Sequence, residues 1–128
     1  MSVVIPCYNA ENTVGRAIAS VFRQGYHDTE LIVVDDGSTD NSRHNILEWQ
    51  ERFKNANLVL RYVYQENQGS GGAVNTGLKL VTGSYLTLLD ADDEYLPGAI
   101  AERAAYLRGH PECDVVRSNG WIVNGGHR

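Results

Sequence analysis

Leu31-Ile32-Val33-Val34-Asp35-Asp36-Gly37-Ser38-Thr39-Asp40 is the stretch on which the fold class turns. Four apolar residues in a row show no alternation, so the strand they form must be covered on both faces, as in a parallel sheet. The run then breaks into acids, a glycine and hydroxyl residues, which is turn chemistry. Downstream, Ile46, Trp49, Gln50 and Phe53 recur at helical spacing. Buried strand, polar loop and helix make the repeating unit of a doubly wound fold.

The same unit recurs on either side. Val3-Val4-Ile5 ends at Pro6, and Cys7-Tyr8-Asn9 follows. Val14, Ala17, Ile18, Val21 and Phe22 then share one helical face, with Asn9 as its N-cap and Gly25 as its stop. Residues 58–64 form a third strand whose partial alternation places it nearer the sheet edge. A glycine-rich segment leads into a third helix over about residues 70–81, with Ala73, Val74, Gly77, Leu78 and Val81 inward. Tyr85-Leu86-Thr87-Leu88-Leu89 reads as a buried strand delivering Asp90-Ala91-Asp92-Asp93 to one point. Pro97 suits the first turn of a fourth helix, with Ile100, Ala104 and Leu107 inward and Gly109 at its end. Residues 113–116 read as a fifth strand, and Trp121-Ile122-Val123 as the start of a sixth. The expectation is an α/β domain over residues 1–128: a doubly wound, mostly parallel sheet with helices on both faces. Such sheets bind ligands at the carboxyl ends of their strands, where all four polar segments fall.

Bulk composition narrows the partners. A net charge of −5 with no Lys/Arg block disfavours nucleic acid. No signal peptide and no apolar stretch near membrane-spanning length is present. Cys7 and Cys113 lack metal-ligand spacing and read as buried thiols of a reducing compartment. His27, His44, His110 and His127 share no ligand spacing and read as surface residues.

The chemistry-bearing segments each admit two readings. Asp90-Ala91-Asp92-Asp93 has no Lys or Arg among the nine residues that follow it. Such a cluster holds a hard divalent cation, Mg²⁺ or Mn²⁺, with substrate phosphates, or it is an acidic turn before the next helix. Asp36 is placed to accept a base imino N–H or a ribose hydroxyl, while Ser38, Thr39 or Asp40 caps the helix that follows. Tyr8 covers a base or packs at the rim. Asn67-Gln68-Gly69-Ser70-Gly71-Gly72 meets phosphates or allows close packing, with packing favoured for Gly77. It overlaps the dinucleotide fingerprint weakly, because those glycines belong after the first strand.

Together these blocks resemble the family 2 glycosyltransferases of GT-A fold, across essentially the whole chain. The residues that carry the resemblance are Ser2 to Asn9, Val34 to Asp40, Asn67-Gln68-Gly69 through Ala73 to Asn75-Thr76-Gly77, and Leu89 to Asp93. The resemblance implies transfer of a sugar from a nucleotide-diphosphate donor, UDP by default, to a glycan, lipid-linked or other hydroxyl acceptor with inversion. It implies that Pro6, Tyr8 and Asp36 line the nucleoside pocket, that Asp90 sits by the ribose, and that Asp92 of the Asp-x-Asp motif ligates Mn²⁺ or Mg²⁺. It further implies glycan or polysaccharide synthesis in the cytoplasm, free or peripheral at the cytoplasmic membrane face. Two departures stand out. Val74 occupies a position where the family often has Arg, and the acceptor-side acid that serves as catalytic base is expected beyond Arg128. The chain therefore reads as a GT-A domain truncated on its acceptor side. The alternative is a non-catalytic GT-A-like interaction module, with Trp121, Ile122 and Val123 as its contact surface.

Overall fold

The computed structural model describes residues 1–26, 28–118 and Gly120. Its strands are β1 (Ser2–Cys7), β2 (Glu30–Asp36), β3 (Val59–Gln65) and β4 (Leu86–Leu88). Its helices are α1 (Val14–Phe22), α2 (Ser42–Asn55), α3 (Gly69–Leu78) and α4 (Ala99–Gly109). All strand pairs are parallel, in the order β3-β2-β1-β4. The chain steps outward from β1 to β3, then returns across the sheet to lay β4 on the far side of β1. Right-handed crossovers require that reversal to change faces. Accordingly α1, α2 and α4 pack on one face, where Val3, Ile5, Leu31 and Val33 meet Ile18, Ile46, Phe53 and Ile100. On the other face Val4, Ile32 and Val34 meet Ala73 of α3. The doubly wound expectation holds, and β3 lies at the sheet edge as its alternation predicts.

The α3 face depends on one missing side chain. A Cβ on Gly77 would lie 2.4 Å from Val4 Cγ1 and 3.4 Å from Val34 Cγ2, so only glycine lets the helix come this close. Val4 and Val34 are fully buried, so they have little room to give way.

Several local expectations fail for identifiable reasons. Asn9 does not cap α1, which starts at Val14 after Thr13; it adopts a φ of +47° and bonds to the neighbouring loop instead. Pro6 lies inside β1, not at its end. Ser2 N and Val4 O bond toward the β4 side, so the Pro6 nitrogen also faces that side. There β4 has already ended, with Leu88 opposite Val4, and no partner asks Pro6 for an N–H. Helix α3 stops at Leu78, so Val81 packs from the following loop, while Leu78 is exposed. Pro97 precedes α4, whose N-cap is Gly98. Residues 113–116 are not a strand, Val115 is 83% exposed, and Cys113 is only half-buried. Strand β4 is not a buried strand: Leu86 and Leu88 are 45% and 49% exposed. Their register with Ser2 and Val4 puts them on the α3 face, but α3 packs chiefly over β1 and β2 and leaves them half exposed. The sixth strand expected at Trp121, together with His27 and His127, lies outside the described residues.

Gly77→Ala gains about 1 kcal/mol of helix propensity but overpacks against Val4, which costs about 1–3 kcal/mol. We expect a net loss of roughly 1 kcal/mol in urea unfolding. Pairing it with Val4→Ala should cost less than the two single changes added together, which a double-mutant cycle measures.

Candidate functional site

Because every strand runs the same way, the segments leaving β1, β2, β3 and β4 emerge on one edge. Tyr8 stands just beyond β1 and is 53% exposed, with Pro6 half-buried beneath it in the strand. Asp36 is the last residue of β2, Gln65 the last of β3, and Asp90 to Asp93 follow β4. The structure thus brings Pro6, Tyr8, Asp36, Asp90 and Asp92 to the same rim.

The paired acids divide their work, because successive strand residues point to opposite faces. Asp35 faces α1 and α2: Oδ1 accepts from Ser38 N at 2.9 Å and Oδ2 from the Tyr62 hydroxyl at 2.6 Å. Burial, then the bond to Asp35, pushes the Tyr62 phenol well above its ordinary pKa, so it stays a donor. Asp36 faces α3, and its Oδ1 accepts from both Gln65 Nε2 and Gln68 N at 2.8 Å. Among the described residues nothing donates to its Oδ2. The residues are 1% and 2% exposed, so Asp35 is fully committed to the fold while Asp36 keeps one oxygen in reserve. Between the loops Gly37 turns with a φ of +80°, and a Cβ there would lie 2.9 Å from Asn67 N.

The loops after β1 and β2 are stapled together by contacts that sequence reading missed. Asn9 N donates to Ser38 Oγ at 2.9 Å, and Thr39 N to Asn9 Oδ1 at 2.8 Å. Ala10 N donates to Ser42 Oγ at 2.8 Å, and Glu11 N to Asp40 Oδ2 at 3.1 Å. Asn41 N returns to Glu11 Oε2 at 3.0 Å. Asp40 also accepts from Ser42 N at 2.9 Å, the first N–H of α2, while the N-cap position itself is Asn41, whose side chain makes no cap bond. Partial burial raises the Asp40 pKa, but the Ser42 and Glu11 bonds outweigh it and hold the carboxyl below its usual range. The available signal was the density of short hydrogen-bonding side chains in 38–42, which exceeds what one helix cap needs. Cys7 lies beneath these loops; burial pushes its thiol up to about 11, so it is protonated and inert at neutral pH.

Asp90, Asp92 and Asp93 are exposed, and each offers an oxygen within 4.8 Å of the others. The turn that gathers them is closed by Asp93 N donating to Asp90 O at 3.0 Å, so the acidic turn and the three-acid cluster coexist. An all-carboxylate donor set fits a hard divalent cation, not a soft one. A cation missing from the local sequence arrives from α1's end, where Arg23 lies 4.0 Å from Glu94. The far side of the loop is anchored by Tyr95, whose N donates to Ser20 Oγ at 3.0 Å and whose hydroxyl bonds Thr87 at 2.7 Å.

The family described as Glycosyl transferase family 2 matches residues 2–126. An uncharacterized glycosyltransferase of Nostoc is 44% identical over 97 residues, covering 76% of this chain and 29% of that protein. An Escherichia coli protein, the UDP-Glc:alpha-D-GlcNAc-diphosphoundecaprenol beta-1,3-glucosyltransferase WfgD, is 40% identical over 97 residues, covering 75% and 36%. Among solved structures, S. aureus TarS 1-349 in complex with UDP-GlcNAc superposes with a TM-score of 0.75 at 30% identity, covering 86% of this chain and 31% of that one. The mannosyltransferase PcManGT from Pyrobaculum calidifontis, in complex with GDP-Man and Mn²⁺, gives 0.76 at 29% identity, covering 83% and 31%. The chain spans roughly a third of the length of these relatives. Among the described residues no helix is long and apolar enough to cross a membrane.

Ser42→Ala strands the half-buried Ala10 N–H and should cost about 1–2 kcal/mol in urea unfolding. The lowered Asp40 pKa stabilises the fold above its unfolded value, near 3.9, and that contribution is lost as pH falls through the folded value. Asp40→Asn should therefore reduce stability at pH 7 and flatten its acid-side decline. Unfolding midpoints from pH 7 to pH 3 check this.

Proposed function

This chain belongs to glycosyl transferase family 2, and on that premise we propose that it forms the donor-binding part of an inverting, metal-dependent nucleotide-sugar glycosyltransferase. The observation that carries the reading is the three-carboxylate cluster on the same rim as Asp36 and Tyr8. In this reading the exposed Tyr8 ring covers the base, Pro6 supports it, and Asp36 Oδ2 accepts from the base edge. Asp90 takes the ribose, and Asp92 holds Mn²⁺ or Mg²⁺ against the diphosphate. Bound there, the ion supplies Lewis-acid stabilisation of the leaving nucleoside diphosphate. The protein's own contribution is positioning: stapled loops fix Tyr8 and the Gly37 turn relative to Asp36, so little ordering remains on binding.

None of the acids on this rim is assigned as general base. That group belongs to an acceptor-side segment of a longer enzyme, a reading supported by relatives of which this chain matches only 29% and 36%. The acceptor is a hydroxyl of a glycan or lipid-linked sugar, and the reaction belongs to glycan assembly on the cytoplasmic side. UDP is favoured over other carriers, in keeping with the UDP-Glc and UDP-GlcNAc named for two relatives.

At UDP concentrations a hundredfold above Kd, with Mn²⁺ present, stability should rise by about 2.7 kcal/mol, several degrees in Tm. Asp92→Ala, or EDTA with the unaltered chain, should abolish the shift. Absence of any shift with UDP, GDP and dTDP in the presence of Mn²⁺ would sink the proposal.

A further inference from the structure

We propose that Gln65 and Thr76 are positioning residues. They commit one Asp36 oxygen to the protein and leave the other for the ligand, which selects a base with a single imino N–H, uracil or thymine, over guanine. This rests on the nucleotide-sugar reading above and adds to it the base class and the residues that enforce it.

The contacts run from α3 through β3 to β2. The Thr76 hydroxyl donates to Gln65 Oε1 and lies 3.0 Å from Gly72 O. Gln65 Nε2 donates to Asp36 Oδ1 at 2.8 Å, and Gln68 N donates to the same oxygen at 2.8 Å. Donor and acceptor chemistry permits one arrangement of the Gln65 amide here. An ionised carboxylate can only accept, so it requires the amide nitrogen, and the threonine hydroxyl then faces the amide oxygen. The amide is held from both ends. Asp36 is 2% exposed, and turning its carboxylate would take the acceptor from two part-buried donors at once.

Base chemistry then decides. Uracil and thymine present one N–H between two carbonyl oxygens, which a single carboxylate oxygen meets in full. Guanine presents its ring N–H and amino group side by side, a pair best met by both oxygens of a carboxylate. With both acceptor sites of Oδ1 taken, guanine's two parallel donors must share Oδ2, where the second meets it at a poor angle and counts as largely unmet, the strong form of rejection.

The test is calorimetric titration of the 128-residue chain with UDP and with GDP, each in Mn²⁺. The unaltered chain should bind UDP about tenfold more tightly than GDP, the scale of one unmet hydrogen bond. Thr76→Val keeps the side-chain shape but removes the donor, and Gln65→Leu removes the amide; each should lower that preference at least about threefold. Thr76→Ser, which restores the hydroxyl, should retain it. If Gln65→Leu fails to fold, the Thr76 pair decides. Tight UDP binding with no preference over GDP, or a preference unmoved in Thr76→Val, overturns the positioning role and leaves the nucleotide-sugar reading standing. Failure of the unaltered chain to bind either nucleotide overturns both.

Discussion

The contact of Gly77 with Val4 and Val34 sets the distance between α3 and the sheet, and much of the rim follows from that distance. Among the described residues one helix covers this face, and it is short and rich in glycine. Had it carried a side chain at position 77, it would stand off from β1 and β2. Thr76 would then leave Gln65, and Gln68 N would leave Asp36. A packing constraint in the apolar interior is thereby tied to the orientation of a polar group at the edge.

The rim has a rigid half and an open half. The loops after β1 and β2 are bound to each other by reciprocal backbone-to-side-chain bonds, and Asp35 is spent entirely on holding the second of them. The loop after β4 hangs from a three-residue strand and is anchored through Tyr95 and Gln24 from α1's side. The base-side residues therefore sit on the better-braced elements. The acids proposed for the diphosphate end sit on the exposed one.

Much of this was legible in the sequence, because burial on both faces leaves a mark. Val3-Val4-Ile5 and Leu31 to Val34 lack alternation, and all of them are fully buried. The helix inner faces were equally clear where a full set of spaced apolar residues existed, as in α1. Residues 85–89 carry the same apolar mark, yet their leucines are half exposed. Composition reports that a strand can be buried, not that an element covers it. Residues 113–116 mislead for the same reason. Asn9 carried the right residue type for a cap, but its partner lies some thirty positions away in sequence, and no local rule registers that. The division between Asp35 and Asp36 was half visible. Alternation along a strand sends the two carboxylates to opposite faces, but which face holds Tyr62 and which holds Gln65 is fixed only by the pairing with β3.

The leucine-bearing edge at β4 also bears on contact between molecules. Among the described residues its outer side has no paired strand, and it shows Leu86 and Leu88 half exposed. Natural sheets blunt such edges with lysine, proline, a bulge or a short strand, and β4 is three residues long. A net charge of −5 keeps molecules apart at long range, but salt screens it within about 8 Å at physiological strength. Salt therefore weakens the charge repulsion that opposes edge-to-edge contact at Leu86 and Leu88.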